Sequence, residues 1–374
     1  MPSDSTSGAI QIEAVDPEEA KRIDHVVDLT EQQLRSRYAK APRFLRGVHP
    51  KDHGCVDATF TVRNDILPDY RVGVFTEPGR QFRARIRFSN AAPLVMPDST
   101  LVKGPPETVT HGSRGMALKL YDVDGPRLVP TDNERTQDFL MINQPVFAFA
   151  NVEDYEALSE VILKDKEDPT RFFARLKHPD PKVRARAAET LRIVNCIKSN
   201  STVDEKAPAF QAPPLSPLDN RYFSAAPFMF GEGWVVKFGA TPVAPISGEL
   251  GDAVKDENYL RTALNKRLAA AGGENVVFEF QIQPRRLESL TSIENDIENA
   301  CALWDEDTYP FRTLATIAIP PQDTSANREA CESLVFTPWH GLAAHRPLGG
   351  INRMRRAVYE KSAELRRPTG AAAV

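Results

Sequence analysis

Arg114-Gly115-Met116-Ala117-Leu118-Lys119-Leu120-Tyr121 puts Met116, Leu118 and Leu120 on one side of a two-residue repeat and Ala117, Lys119 and Tyr121 on the other. That alternation marks a β-strand with one apolar face. Upstream, Phe82, Ala84, Ile86 and Phe88 alternate with Arg83, Arg85, Arg87 and Ser89 in the same way. The segment 58–63 and the run Leu140–Phe149 read as two further strands, the second apolar enough to be buried on both faces. Strands resume at Trp234–Phe238, at Phe278, Phe280 and Ile282, and around Ala315, Ile317 and Ile319. Between and around them the period changes to that of helices. Asp16-Pro17-Glu18-Glu19 starts one that runs to about Lys40, and residues 151–197 are helical, with Asp180-Pro181 opening a second helix. Leu260, Leu264 and Leu268 mark another, and 351–367 close the chain's regular structure. The spacing predicts an α+β fold whose body is an antiparallel sheet or barrel.

Composition excludes several classes of function. The chain has 374 residues, 41% hydrophobic and 26% charged, with a formal net charge of −4. No stretch approaches the roughly 20 apolar residues that span a bilayer, and the first residues lack the basic and apolar regions of a secretory signal. The acidic balance argues against nucleic acid as a partner. Cys55, Cys196, Cys301 and Cys331 show no paired spacing, which speaks against a zinc site or disulfide framework and predicts a reducing cytoplasm. Residues 1–15 read as a loose polar arm, and the basic run Lys182, Arg184, Arg186 as solvated helix surface.

Four features can carry chemistry. On the last helix Arg355, Tyr359 and Arg366 fall within about 40° of one another, beside an apolar stripe of Met354, Val358 and Leu365. A tyrosine between arginines can serve as a phenolate. Its free pKa is ~10, so ionising it near neutrality costs about 4 kcal/mol, which a guanidinium and a bound ferric ion can offset. The others are Arg46-Gly47-Val48-His49, the strand end Arg87-Phe88-Ser89, and Met141-Ile142-Asn143-Gln144-Pro145-Val146-Phe147.

In order and spacing these four resemble the haem-dependent catalases. Arg46-Gly47-Val48-His49 is similar to that family's distal Arg-Val-Val-His segment, Arg87-Phe88-Ser89 to its Arg-Phe-Ser strand, and 114–121 to its Arg-Gly-Phe-Ala-Val-Lys-Phe-Tyr strand. Arg355, Tyr359 and Arg366 fall on its haem-ligand helix. The resemblance covers 40–155 well and 220–367 more thinly. It implies a catalase-like antiparallel β-barrel with flanking and inserted helices, divided into an arm and helix (1–40), a first barrel half with the distal residues (41–155), a helical insertion and linker (156–217), and a second barrel half with the ligand helix (218–374). It implies one haem b, with Tyr359 as the iron ligand held as phenolate by Arg355. Arg46, Arg87 and Arg366 would meet the propionates, and His49 and Asn143 would be the distal catalytic pair. Val48, Phe147 and Tyr155 would form the walls around the haem.

Two departures bear on activity. Counting back from Pro145, the family's distal asparagine falls on Ile142, one residue before Asn143, and a one-residue step turns a strand side chain to the other face. The second residue of the family's Phe-Phe pair is Ala148. The family's C-terminal nucleotide-binding region has no counterpart, so no NADPH is expected. The short chain resembles the catalase-related group, for which the implied activity is peroxidase- or catalase-type cleavage of hydrogen peroxide or organic hydroperoxides. The alternatives are fatty-acid hydroperoxide isomerase or lyase chemistry, as in allene oxide synthases, and a haem-binding protein without turnover. The implied partners are a small peroxide or lipid hydroperoxide and further copies of the chain, as a dimer or tetramer.

Overall fold

The computed structural model describes residues 12–367, except 106–107, 133, 165–167, 205–214, 247, 249–250, 270–272 and 327. In chain order its elements are α1 (Glu19–Arg37), β1 (Asp52–Val62), β2 (Gln81–Asn90), β3 (Ser99–Val102), β4 (Thr108–His111), β5 (Arg114–Leu120), β6 (Gln137–Ile142), α2 (Val152–Lys164), α3 (Pro181–Lys198), β7 (Tyr222–Phe223), β8 (Phe228–Phe230), β9 (Trp234–Pro242), α4 (Tyr259–Ala269), β10 (Val276–Arg286), β11 (Arg312–Ile319), α5 (Arg328–Ser333) and α6 (Gly350–Arg366). A 3₁₀ segment, Pro169–Lys177, joins α2 to α3.

The strands pair antiparallel in the order β1-β2-β5-β6-β7-β9-β10-β11, and β11 returns to β1, closing an eight-stranded barrel. β8 hangs on β9 outside the ring, and β3 and β4 form a separate hairpin. The apolar sides of the alternating strands face inward. Phe60, Phe82, Ile86, Phe88, Leu118, Phe139, Phe238 and Phe280 belong to one buried core. Its centre is aromatic, with Phe139 and Phe280 4.7 Å apart and Phe60 and Phe280 5.3 Å apart, tilted or edge to face. Such a core gives the strands one register and holds their outward residues at fixed positions.

The outward side of β1, β2, β5 and β6 is covered rather than solvated. Register aligns Cys55, Arg87, Ala117 and Leu140 in one outward row, and Ser89, Gly115 and Ile142 in the next. α1, α2, α5 and α6 lie over these rows. α6 packs Ile351, Met354 and Val358 against Val26 of α1 and Val152 of α2. Arg353 of α6 fixes the arrangement with ion pairs to Glu13, Glu19 (2.6 Å) and Glu298 (2.8 Å).

Most predicted elements form, and several differ. The run 140–149 is a strand only through Ile142 and then irregular, because Pro145 cannot donate to a ladder. The arm is not loose where it is described, since Glu13 pairs with Arg346 and Arg353 and the Ala14 N–H donates to Glu298. Residues 1–11 lie outside the described part. Arg186 bridges α3 to Glu153 and Asp154 of α2 rather than facing water. The cysteine reading is overturned: Cys55 and Cys331, 276 residues apart, form a disulfide, leaving Cys196 and Cys301 free. Spacing along the chain could not reveal a bond made across it. With it falls the cysteine argument for a reducing compartment.

Candidate active site

Between the outward barrel face and the helices is one large cavity, about 1680 Å³ with its open mouth. Nine of the ten predicted site residues line it: Arg46, Val48, His49, Arg87, Phe147, Tyr155, Arg355, Tyr359 and Arg366. Asn143 does not. Ile142 takes the lining position because it shares the outward row with Ser89 and Gly115, and Asn143 lies one step beyond. The Asn143 Oδ1 instead accepts from the Arg114 N–H at 2.7 Å and from Ser113 Oγ at 3.0 Å, tying together the turn that precedes β5.

His49 is held from three sides. Its N–H donates to Ala92 O at 2.9 Å, its φ is 57°, and its Nδ1 is 3.0 Å from Ser89 Oγ. The ring lies so close over Gly115 that a Cβ there would be 2.5 Å from Nδ1. Burial, then the charges of Arg87, Arg355 and Arg46, hold the imidazole pKa down to about 3, so the ring is neutral at ordinary pH. With Nδ1 taken by Ser89, Nε2 is the nitrogen left to handle a proton.

Helical periodicity brings Arg355, Tyr359 and Arg366 of α6 to the same wall, with Met354, Val358 and Ser362. The Arg355 guanidinium stands 5.5 Å from the Tyr359 ring centre and donates to Asn352 Oδ1 at 3.0 Å. Tyr155 stacks on Phe147 at 6.3 Å, and burial pushes its phenol pKa up, so it stays protonated.

The third feature is a cluster of arginines. Arg87 projects from the outward face of β2 yet is 3% exposed, because α5 covers it. Its Nε donates to Glu332 Oε1 at 2.9 Å. Arg46 donates through Nη2 to the carbonyls of Cys331 (2.9 Å) and Leu334 (3.0 Å), and Arg366 through Nη1 to that of Glu332 (2.7 Å). Arg46 and Arg87 thus share one carboxylate, Glu332 (3.7 and 2.9 Å), Arg366 meets that residue's carbonyl, and the nearby Asp52 is taken by Arg261 and Arg328. Burial and the other two arginines drive the Arg46 pKa well down, and burial pushes that of Arg366 to about 10. Arg46 Nε and Arg87 Nη2 are buried with no hydrogen-bond partner. Glu332 and Ser362, whose Oγ accepts the Gly47 N–H at 2.9 Å, were not legible in the sequence. Both act through contacts made across hundreds of residues.

The barrel, its outward site and the covering helices define a catalase-like fold. Among solved structures the chain is similar to a fungal catalase (TM-score 0.64, 16% identity, covering 89% of this chain and 61% of that one). It is also similar to a bacterial catalase (TM-score 0.64, 14% identity, 99% and 65%) and to catalase A from Saccharomyces cerevisiae (TM-score 0.59, 14% identity, 88% and 63%). The chain therefore spans less than two thirds of the length of these catalases. No family model matches it, and no curated protein does.

Proposed function

We propose that the protein is a haem-dependent oxidoreductase of the peroxidase type that cleaves hydrogen peroxide or organic hydroperoxides. The observation that carries this reading is the arginine cluster. Two buried guanidiniums, Arg46 and Arg87, and a half-buried third, Arg366, with one carboxylate among them and two orphaned nitrogens, leave an excess of positive charge at the edge of an otherwise largely apolar cavity. A flat apolar group bearing two carboxylates meets that demand, and haem b is such a group. The phenol of Tyr359 with Arg355 beside it suits a ferric centre, which prefers a hard anionic ligand. The residues present fit the group.

In this reading Arg46, Arg87 and Arg366 hold the propionates, and Tyr359 is the iron ligand with Arg355 stabilising its phenolate. Bound haem supplies the iron that accepts the peroxide and the electrons that cleave its O–O bond. His49, kept neutral, takes the proton from the inner peroxide oxygen through Nε2 and returns it to the outer one, while Ser89 fixes the ring. A positioned proton carrier of this kind contributes about 10² to 10⁴ in rate. Val48, Phe147 and Ile142 exclude water from that exchange.

Asn143 has no part in proton handling in this reading, because it does not line the cavity and its amide oxygen holds the turn before β5. The distal side then lacks a second hydrogen-bond donor from that strand. Ala148, Phe149, Leu158, Ile162 and Ile197 extend the apolar lining away from His49. Both features favour organic hydroperoxides over fast dismutation of hydrogen peroxide.

The test is the visible spectrum of wild type and Tyr359→Phe, both purified from haem-supplemented cells. A ferric high-spin Soret band that shifts or vanishes in the variant supports the assignment. No stoichiometric haem in the wild type refutes it. Loss of a fatty-acid hydroperoxide with no donor added would favour isomerase or lyase chemistry, and oxygen release at rates typical of full-length catalases would refute the preference for organic substrates.

A further inference from the structure

The outer side of the arginine cluster is closed by a short segment with few ties of its own. α5 is six residues long, and Arg328, Glu329 and Ala330 on its outer side are exposed. Its packed side is Cys331, 1% exposed and bonded to Cys55 of β1. Cys55 is the cross-strand partner of Arg87, so the disulfide emerges from the sheet beside the arginine that Glu332 engages. From Cys331 onward the chain turns its polar groups inward. The carbonyls of Cys331, Glu332 and Leu334 orient Arg46, the Glu332 carbonyl orients Arg366, and the Glu332 carboxylate takes Arg87. The other fixed contact of α5 to the barrel is the pair of Arg328 with Asp52, in which the Arg328 side chain is half exposed. That pair is a fork onto the buried Asp52, Nε and Nη2 each at 3.1 Å, so it must be released along with the disulfide before the segment can move. Tyr359 packs against the same small cluster as the two cysteines.

We propose that the Cys55–Cys331 disulfide is a redox latch on the carboxylate-binding edge of the cavity. Closed, it holds α5 so that Glu332 and the neighbouring carbonyls keep Arg46, Arg87 and Arg366 aimed at a bound dicarboxylate. Opened, it lets α5 swing away, and the guanidiniums lose the acceptors that orient them. A dithiol opens it: one of its thiolates attacks a protein sulfur, its second thiol displaces the resulting mixed disulfide, and it leaves as a cyclic disulfide. Two electrons and two protons then reside on Cys55 and Cys331 as thiols. A peroxide closes it again: one thiolate takes the terminal oxygen to give a sulfenic acid, releasing water or an alcohol, and the second thiol condenses with it, releasing water. Retention of the bound group would thus follow the oxidant that the site consumes.

The identity of the bound group rests on the haem reading; the movement of α5 does not. The experiment uses the full chain loaded with haem, treated or not with dithiothreitol. Thiols alkylated after denaturation report the latch, two when it is closed and four when it is open, since four cysteines are present and two are free. Haem loss to excess apomyoglobin, followed at the Soret band, is expected to be at least tenfold faster after reduction. Cys331→Ser is expected to lose haem at the fast rate with no reductant and to be indifferent to dithiothreitol, which separates the latch from any direct effect of the thiol on the iron. Equal loss rates for protein with two and with four thiols overturn the proposal, even if reduction lowers the melting temperature, and so do four thiols before reduction. Hydrogen exchange of the chain without haem reads the movement by itself, and should rise over residues 328–336 on reduction while β1 and β2 stay protected. Unchanged exchange there overturns the latch. Faster exchange in a protein that takes up no haem supports the latch and counts against the haem reading alone.

Discussion

Replacing Gly115 with alanine perturbs the proton carrier without touching any group proposed to bind haem. The added Cβ would lie 2.5 Å from His49 Nδ1 and 2.9 Å from Ser89 Oγ, where ordinary contact begins near 3.4 Å. The imidazole must therefore retreat by about 0.9 Å. Its backbone cannot follow easily, because the His49 N–H is bonded to Ala92 O and its φ of 57° leaves little room for adjustment. Adding that retreat to the present 3.0 Å takes Nδ1 out of hydrogen-bond range of Ser89. A misplacement of about 1 Å at a reacting group costs on the order of 10²-fold, and overpacking costs roughly 1–3 kcal/mol of stability. The assay is the initial rate of hydroperoxide loss per haem, with the melting temperature measured alongside. Gly115→Ala should fall about 100-fold, whereas Ser89→Ala, which deletes the bond without pushing the ring, should fall about fivefold, as expected for ~1 kcal/mol. A haem-loaded Gly115→Ala variant that turns over within about twofold of wild type would refute the role of His49.

Ala148→Phe adds a ring to the apolar stretch of the cavity beyond Phe147. Turnover of cumene hydroperoxide should drop about tenfold and that of hydrogen peroxide by less than about twofold, read from paired kcat/KM values, and an equal drop in both would argue against a role for that stretch in admitting large substrates. Acid stability should fail through the buried histidines. His345 is enclosed by Phe75, Phe139 and Phe230, its Nε2 accepts the Val74 N–H, and burial lowers its pKa from 6.5 to about 4. The unfolded chain then takes up a proton that the folded one refuses. The stabilisation is full above pH ~6.5 and declines as pH falls toward about 4, by up to ~3 kcal/mol. Urea unfolding of His345→Gln and wild type between pH 7 and 4 should show a shallower decline in the variant, and parallel curves would exclude His345 as a cause.

What was legible in the sequence followed from short-range periodicity. Two-residue alternation located β2 and β5 but left open which of Ile142 and Asn143 faces the cavity; the register puts Ile142 there and corrects the assignment of Asn143 to the distal pair. The 3.6-residue period of α6 carries Arg355, Tyr359 and Arg366 to one face, and all three line the cavity. Alternation also has a limit. It puts Arg87 on the face opposite the core, but a strand pattern reports which face a side chain takes and not what covers that face. The strands β7 and β8 are two and three residues long, too short to show a period. The disulfide, Glu332 beside Arg87, and Glu13 on Arg353 join segments far apart in the chain, and residue order carries no record of such contacts.

Several departures from the usual rules of burial meet at the cavity. Arg46 and Arg87 are nearly inaccessible and incompletely paired, His49 has a left-handed backbone, and its ring presses on a glycine. Each is unfavourable by itself, since an unpaired buried charge costs several kcal/mol and a strained backbone about 1–3 kcal/mol. A fold keeps such features only where the surrounding structure overrides them. Here the supports can be named: an aromatic barrel core that fixes the outward rows, Arg353 with its three carboxylates anchoring α6, and a covalent bond pinning α5 over the arginines. Strain and unmet charge gathered at one cavity, beside rigid supports, fit the proposed binding of an anionic apolar group. Arg285, by comparison, forks onto both oxygens of one carboxylate, Asp296, at 2.8 and 3.0 Å, with its Nε left unpartnered.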